Sequence, residues 1–163
     1  MALNCYVVKI KGETQGDIKG SVTQKGREGW IECFGFDHKV HSPRDAASGL
    51  PTGKRVHSPL RIVKPIDKST PLLMNVLVNN ENIPEFELRF FTPSSAGAET
   101  NFYTIKLTNA NISEVKPYML LNRDPNYMKY PEMEEVSFTY QKIEWVFVKG
   151  GITAMDDWEA PVA

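Results

Sequence analysis

Apolar and polar residues alternate with a period of two along most of this chain, and one stretch breaks that rhythm. From Pro65 to Asn80 the pattern predicts a helix over about residues 70–80. Ser69 or Thr70 can cap its free amides, Pro71 falls where a missing N–H costs nothing, and Asn79 and Asn80 close it. Leu72, Leu73, Met74, Val76, Leu77 and Val78 cover most of its circumference, leaving a narrow polar stripe of Asn75 and Asn79. A helix this apolar needs cover on nearly every side. A sheet supplies one side; the rest comes from more of the same chain, as in a buried core helix, or from a second subunit.

Everything else reads as strand and turn. Cys5 to Ile10 places Tyr6, Val8 and Ile10 on one face. Trp30 to Val40 sets Trp30, Glu32, Phe34 and Phe36 toward a core, with Ile31, Cys33, Gly35 and Asp37 opposite, as on a sheet facing water, a pore or a close neighbour. Residues 42–55 have no periodicity and are dense in Pro, Gly and charge. They form a long loop in which Leu50 has nothing local to bury it, so docking on another surface is the expectation and a flexible hairpin tip the alternative. Val56 to Lys64 is a strand that Pro59 confines to an edge or bulge. Glu85 to Phe91 and Phe102 to Thr108 make a hairpin, and Ile112 to Leu121 is a weaker strand broken by Pro117. Val136 to Val148 changes face midway: Val136, Phe138 and Tyr140 share one parity, Ile143, Trp145 and Phe147 the other. That requires a bulge near Gln141 and Lys142 or a change of covering layer. After Gly150 and Gly151 a short acidic tail is expected to pack loosely. The fold class is mainly β: a single domain over residues 1–163, an antiparallel barrel or a pair of packed sheets with one flanking helix.

Composition narrows the function. A net charge of -1 argues against nucleic-acid binding and against binding to anionic membranes. The charge is nevertheless unevenly spread. Lys39, Arg44, Lys54, Arg55, Arg61, Lys64 and Lys68 dominate residues 38–68, and Glu132, Glu134, Glu135, Glu144, Asp156, Asp157 and Glu159 dominate the end. Such patches can meet head to tail between copies or neutralise each other within one chain. Cys5 and Cys33 read as buried free thiols. No leader-like basic and apolar start and no long apolar run is found, so cytoplasmic folding is expected, without direct membrane insertion.

Candidate chemistry is thin. His38 and His41 are three apart, which on a strand sends them to opposite faces, so Cys33, Asp37, His38, His41 and His57 make a poor metal site. Glu134 and Glu135 diverge for the same reason, and no phosphate loop or nucleophile elbow is present. The residues alone indicate a self-associating, non-enzymatic β domain with no catalytic residues, metal or cofactor.

Three motifs in order, Ser42 to Arg55, Ile66 to Leu73 and Glu134 to Trp145, resemble the haemolysin-coregulated protein (Hcp) family of type VI secretion systems. The resemblance implies a hexameric ring of barrels, stacked into a tube that a contracting sheath expels with its spike tip and with small effector proteins in the lumen. It also implies secretion from the bacterial cytoplasm into the medium or a target cell without a cleavable signal peptide. Subunit-interface candidates are then Arg44, Asp45, Leu50, Pro51, Lys54, Arg55, Leu72, Met74 and Val78, and lumen-lining candidates are Cys33, Gly35 and Asp37. Some family members carry a toxin domain after the barrel. This chain runs only about twelve residues past Gly151, so a tube subunit without toxin activity is expected. A monomeric β-barrel binding module is the alternative, and an uncharacterised hydrolase a third reading.

Overall fold

The computed structural model describes residues 1–158. Eleven strands and one helix follow in the order β1 (Cys5–Gly12), β2 (Gly16–Asp17), β3 (Ile31–Cys33), β4 (Gly35–Asp37), β5 (Val40–His41), β6 (Val56–His57), β7 (Leu60–Pro65), α1 (Thr70–Val78), β8 (Ile83–Pro93), β9 (Glu99–Tyr118), β10 (Met133–Phe147) and β11 (Ile152–Asp157). All pairings are antiparallel. The main sheet runs β2-β1-β8-β9-β10-β7-β4, with β11 on β10 and β3 on β1. Residues 31–37 close the barrel: β3 pairs β1, and the next strand, β4, pairs β7 at the far end of the sheet.

That closure corrects the parity expected for Trp30 to Val40. The stretch is two strands that change partner at Phe34, whose amide donates to the Val63 carbonyl at 2.7 Å. Ile31 and Cys33 point into the core beside β1, whereas Phe34 is exposed and Phe36 stacks edge-on against Phe90 at 5.1 Å. A parity rule holds only while a strand keeps one partner and one layer. The same reason corrects β1. A bulge at Val8 shifts the register, so Cys5, Val7 and Ile10 face the core, and Tyr6 packs on the other side under Trp30 and Phe91.

Core side chains come from every long strand: Leu60, Ile62, Phe86, Leu88, Ile105, Leu107, Val136, Phe138 and Ile143 are all buried. β9 runs unbroken for 20 residues where two strands were expected, because Asn109, at φ 50°, and a register shift against β10 absorb the irregularity. The face change in β10 is present, and its cause is the covering layer. Pairing with β9 keeps its register through Gln141 and Lys142, while the other neighbour switches from β7, opposite Met133–Phe138, to β11, opposite Lys142–Phe147. Val56 to Lys64 is divided at Ser58 and Pro59 into β6 and β7. The acidic tail is no loose end: it forms β11 and pairs with β10 over six residues. Glu159 lies outside the described residues.

The helix spans Thr70–Val78 with Pro71 in its first turn and Asn79 as its C-cap. Ser69 stands at the N-cap without a side-chain capping bond. Its amide and hydroxyl donate instead to Asp67 Oδ1, at 2.9 and 2.5 Å. Leu73 and Val76 are buried against the barrel, Leu72 and Val78 are exposed, and Asn79 donates to Asn75 at 2.7 Å along the polar stripe. The barrel therefore covers one side of this apolar helix and leaves the other uncovered within the chain.

Candidate functional site

Residues 42–55 belong to a β-hairpin arm that leaves the barrel after β4 and returns before β7. The arm starts as the β5–β6 ribbon, with Val40 opposite His57 and His41 opposite Val56. The ladder continues outward through an Arg44–Pro51 bridge, a Thr52 amide to Pro43 carbonyl bond of 3.0 Å and an Asp45 amide to Leu50 carbonyl bond of 2.8 Å. Asp45 closes the tip. Its carboxylate accepts from the Ser48 amide at 2.8 Å and hydroxyl at 2.6 Å, and those bonds hold its carboxyl below the usual range. Gly49 takes the positive φ of 72° that the return requires. The stretch that lacked periodicity is thus an ordered hairpin whose register is set by turn chemistry.

The arm presents Leu50 at 64% exposure, with Arg44, Asp45, Pro51 and Lys54 also exposed around it. Its root is anchored. Arg55 makes a bidentate pair with Asp156 on β11, Nε to Oδ2 at 2.7 Å and NH2 to Oδ1 at 2.8 Å, and NH2 also donates to the Asp157 carbonyl. The guanidinium lowers the Asp156 carboxyl below the usual range, and the neighbouring His57 adds to this. His57, fully enclosed, bonds Asp156 through Nε2 and the Tyr140 hydroxyl through Nδ1, each at 2.7 Å, and His38 Nε2 meets the same hydroxyl at 2.7 Å.

Other candidates are distributed as follows. Met74 is half-buried on the helix, between the exposed Leu72 and Val78. Gly35 and Asp37 lie on the outer face of β4, where Asp37 pairs with Arg61 at 3.6 Å and Arg61 with Glu135 at 3.3 Å. Cys33 is 0% exposed inside the core, so it lines no lumen; the cause is the partner switch at Phe34. The opposed charge patches meet within one chain: Arg55 with Asp156, Arg61 with Glu135, Lys64 with Glu134. Arg55 accordingly braces the root of the arm within its own chain. Sequence reasoning missed the buried Lys64, Glu134, Asp67 and Thr70 network, although Lys64 alternating with Leu60 and Ile62 on β7 was a usable signal of burial. Among the described residues no three His, Cys, Asp or Glu side chains are placed to hold a metal ion, and no helix is long and apolar enough to cross a membrane.

The fold is a closed antiparallel barrel with a projecting hairpin arm and one apolar helix face left uncovered within the chain. Residues 7–147 match the family described as "Type VI secretion system effector, Hcp". The chain is 40% identical to the "Major exported protein" of Pseudomonas aeruginosa, an alignment covering 100% of this chain and 99% of the relative. Its fold matches that of a doubly mutated Hcp1 from E. coli EAEC 042 with a TM-score of 0.85 at 31% identity, over 96% of this chain and 99% of the other. It also matches the secreted protein Hcp3 of Pseudomonas aeruginosa, with a TM-score of 0.77 at 31% identity over the same shares. The chain belongs to the Hcp family of type VI secretion, a family of secreted structural proteins and not of enzymes.

Proposed function

We propose that this chain is a tube subunit of a type VI secretion system. Six copies close into a ring, rings stack into a hollow tube, and the tube travels with a spike at its tip, inside a contractile sheath, carrying small effector proteins in its lumen. The observation that supports this most is the arm. A hairpin held rigid at its tip by Asp45 and at its root by Arg55 carries Leu50 away from its own barrel at 64% exposure. An exposed leucine on an ordered projection is a surface feature that suits a complementary pocket on another copy.

In this reading Arg44, Asp45, Leu50, Pro51 and Lys54 on the arm, and Leu72, Met74 and Val78 on the helix, contact neighbouring subunits. A heterologous contact of this kind, repeated with a rotation, closes a ring. Gly35 and Asp37 remain the lumen-facing candidates, beside the Asp37, Arg61 and Glu135 charges.

Leu50→Asp tests the reading by size-exclusion chromatography with light scattering. The wild type is expected at six chain masses and the variant at one, with the same far-UV circular dichroism. A variant that keeps the wild-type mass would remove the arm from the interface. A wild type that runs as one chain would favour the monomeric binding module.

A further inference from the structure

The root of the arm is held by a hydrogen-bond chain whose proton positions can be derived. Asp156 Oδ2 can only accept, so His57 Nε2, at 2.7 Å, carries the proton. That leaves Nδ1 of the neutral ring as an acceptor, and the Tyr140 hydroxyl donates to it at 2.7 Å. The hydroxyl oxygen then accepts from His38 Nε2–H at 2.7 Å. Every group is satisfied with both rings neutral. Burial raises the Tyr140 hydroxyl well above its ordinary range, with the Asp156 charge adding to it, so it stays a neutral donor.

One extra proton can be absorbed. If it lands on His57 Nδ1, Tyr140 can turn its hydrogen toward His38, provided His38 moves its own proton to Nδ1. Two extra protons cannot be absorbed while the arrangement stands. Both rings would donate to one hydroxyl oxygen, and the Tyr140 hydrogen would lose the ring nitrogen that accepts it, an arrangement that costs a buried hydrogen bond. Asp156 on β11, which also serves Arg55 beside Asp157, favours a charged His57 ring, and Asp37, which pairs with Arg61, favours a charged His38 ring; these carboxylates ease the added charge and leave the clash of donors at the Tyr140 hydroxyl in place. Trp158, with its ring centre 5.3 Å from that of His57, adds an indole that can donate but not accept.

We propose that His38, Tyr140, His57 and Asp156 form an acid-sensitive latch that, beside the Arg55–Asp156 pair, holds the root of the arm at neutral pH and loosens when both histidines are protonated. The latch deepens the ring reading, since it regulates the contact assigned there to the arm, and its consequence for assembly rests on that reading. Burial, and then the nearby His57, lower the His38 ring below its ordinary range. The released or unfolded chain therefore takes up the His38 proton first, and the latch weakens as pH falls below the usual histidine range.

Amide hydrogen exchange of the full chain, corrected for intrinsic rates, at about pH 8 and about pH 5 tests the latch, with oligomeric mass read on the same samples. Protection of amides at the root of the arm, such as that of Ser58, which donates to the Lys39 carbonyl beside both histidines, is expected to fall at least tenfold in acid, while core amides on β8 and β9 keep theirs. His38→Gln, whose side-chain amide can still donate to Tyr140 but cannot be protonated, is expected to keep the arm protected in acid. Tyr140→Phe is expected to leave it unprotected at both pH values. Equal protection of the wild-type arm at the two pH values would overturn the latch, and so would an undiminished acid response in His38→Gln. Acid loss of arm protection in a protein whose oligomeric mass does not change would support the latch and overturn the arm as the ring contact.

Discussion

Lys64 and Glu134 face each other across β7 and β10, both at 0% exposure, and form a direct ion pair inside the protein. Lys64 also donates to the Pro65 carbonyl and to Asp67 Oδ1, each at 3.0 Å, and Thr70 Oγ1 donates to Glu134 Oε1 at 2.9 Å. The pair thereby ties the two strands to the first turn of the helix and explains why Asp67, not Ser69, organises that turn.

Removing Glu134 strips the buried Lys64 of one of its two carboxylate partners and leaves Asp67 as the other. Glu134→Ala is expected to destabilise the chain by about 3 kcal/mol, read from urea unfolding midpoints. The double replacement Lys64→Met with Glu134→Leu is expected to recover most of that loss, because Glu134 Oε2 has no hydrogen-bond partner among the described residues and the site is already enclosed. Equal damage from the single and the double variant would show that shape, not charge, sets the cost.

Arg27 pins the loop between β2 and β3. Its guanidinium lies 4.3 Å from the Phe91 ring centre, 4.9 Å from Tyr6 and 5.9 Å from Trp30, and pairs with Glu99 at 2.8 Å. Arg27→Ala should cost about 2 kcal/mol, through lost ring contacts as much as lost charge. Arg27→Lys should recover less than half of it, since an ammonium cannot stack across three rings. Full recovery by lysine would assign the effect to Glu99 alone.

Asp156 gives stability a defined dependence on acid. Its carboxyl is depressed in the folded chain by Arg55 and His57, so its contribution is complete above the ordinary carboxylate range and is lost as pH falls through the folded value. Asp156→Asn is therefore expected to lower the urea midpoint at about pH 7, and the gap to wild type should narrow toward about pH 3. A gap that stays constant would mean the residue acts through shape and not through charge.

The barrel class was legible because Phe86, Leu88, Ile105, Leu107, Val136 and Phe138 alternate cleanly on strands that keep their layer. Legibility failed wherever the chain changed partner. Cys33 and Gly35 share parity in the sequence, yet one lies in the core and the other on the outer face, because β3 and β4 join opposite ends of the sheet. The arm was recognisable as an unusual exposed segment, but its hairpin register depends on Asp45, Ser48 and Gly49 turn chemistry that leaves no periodic trace. The Tyr140 and His57 bond joins residues 83 positions apart, and no local pattern announces such a pair.

The claim that the arm and the uncovered helix face serve self-assembly is tested most directly by the native mass of the purified chain in solution. The account expects a species of about 110 kDa, six times the 18.4 kDa chain. A single folded species of 18.4 kDa would contradict it.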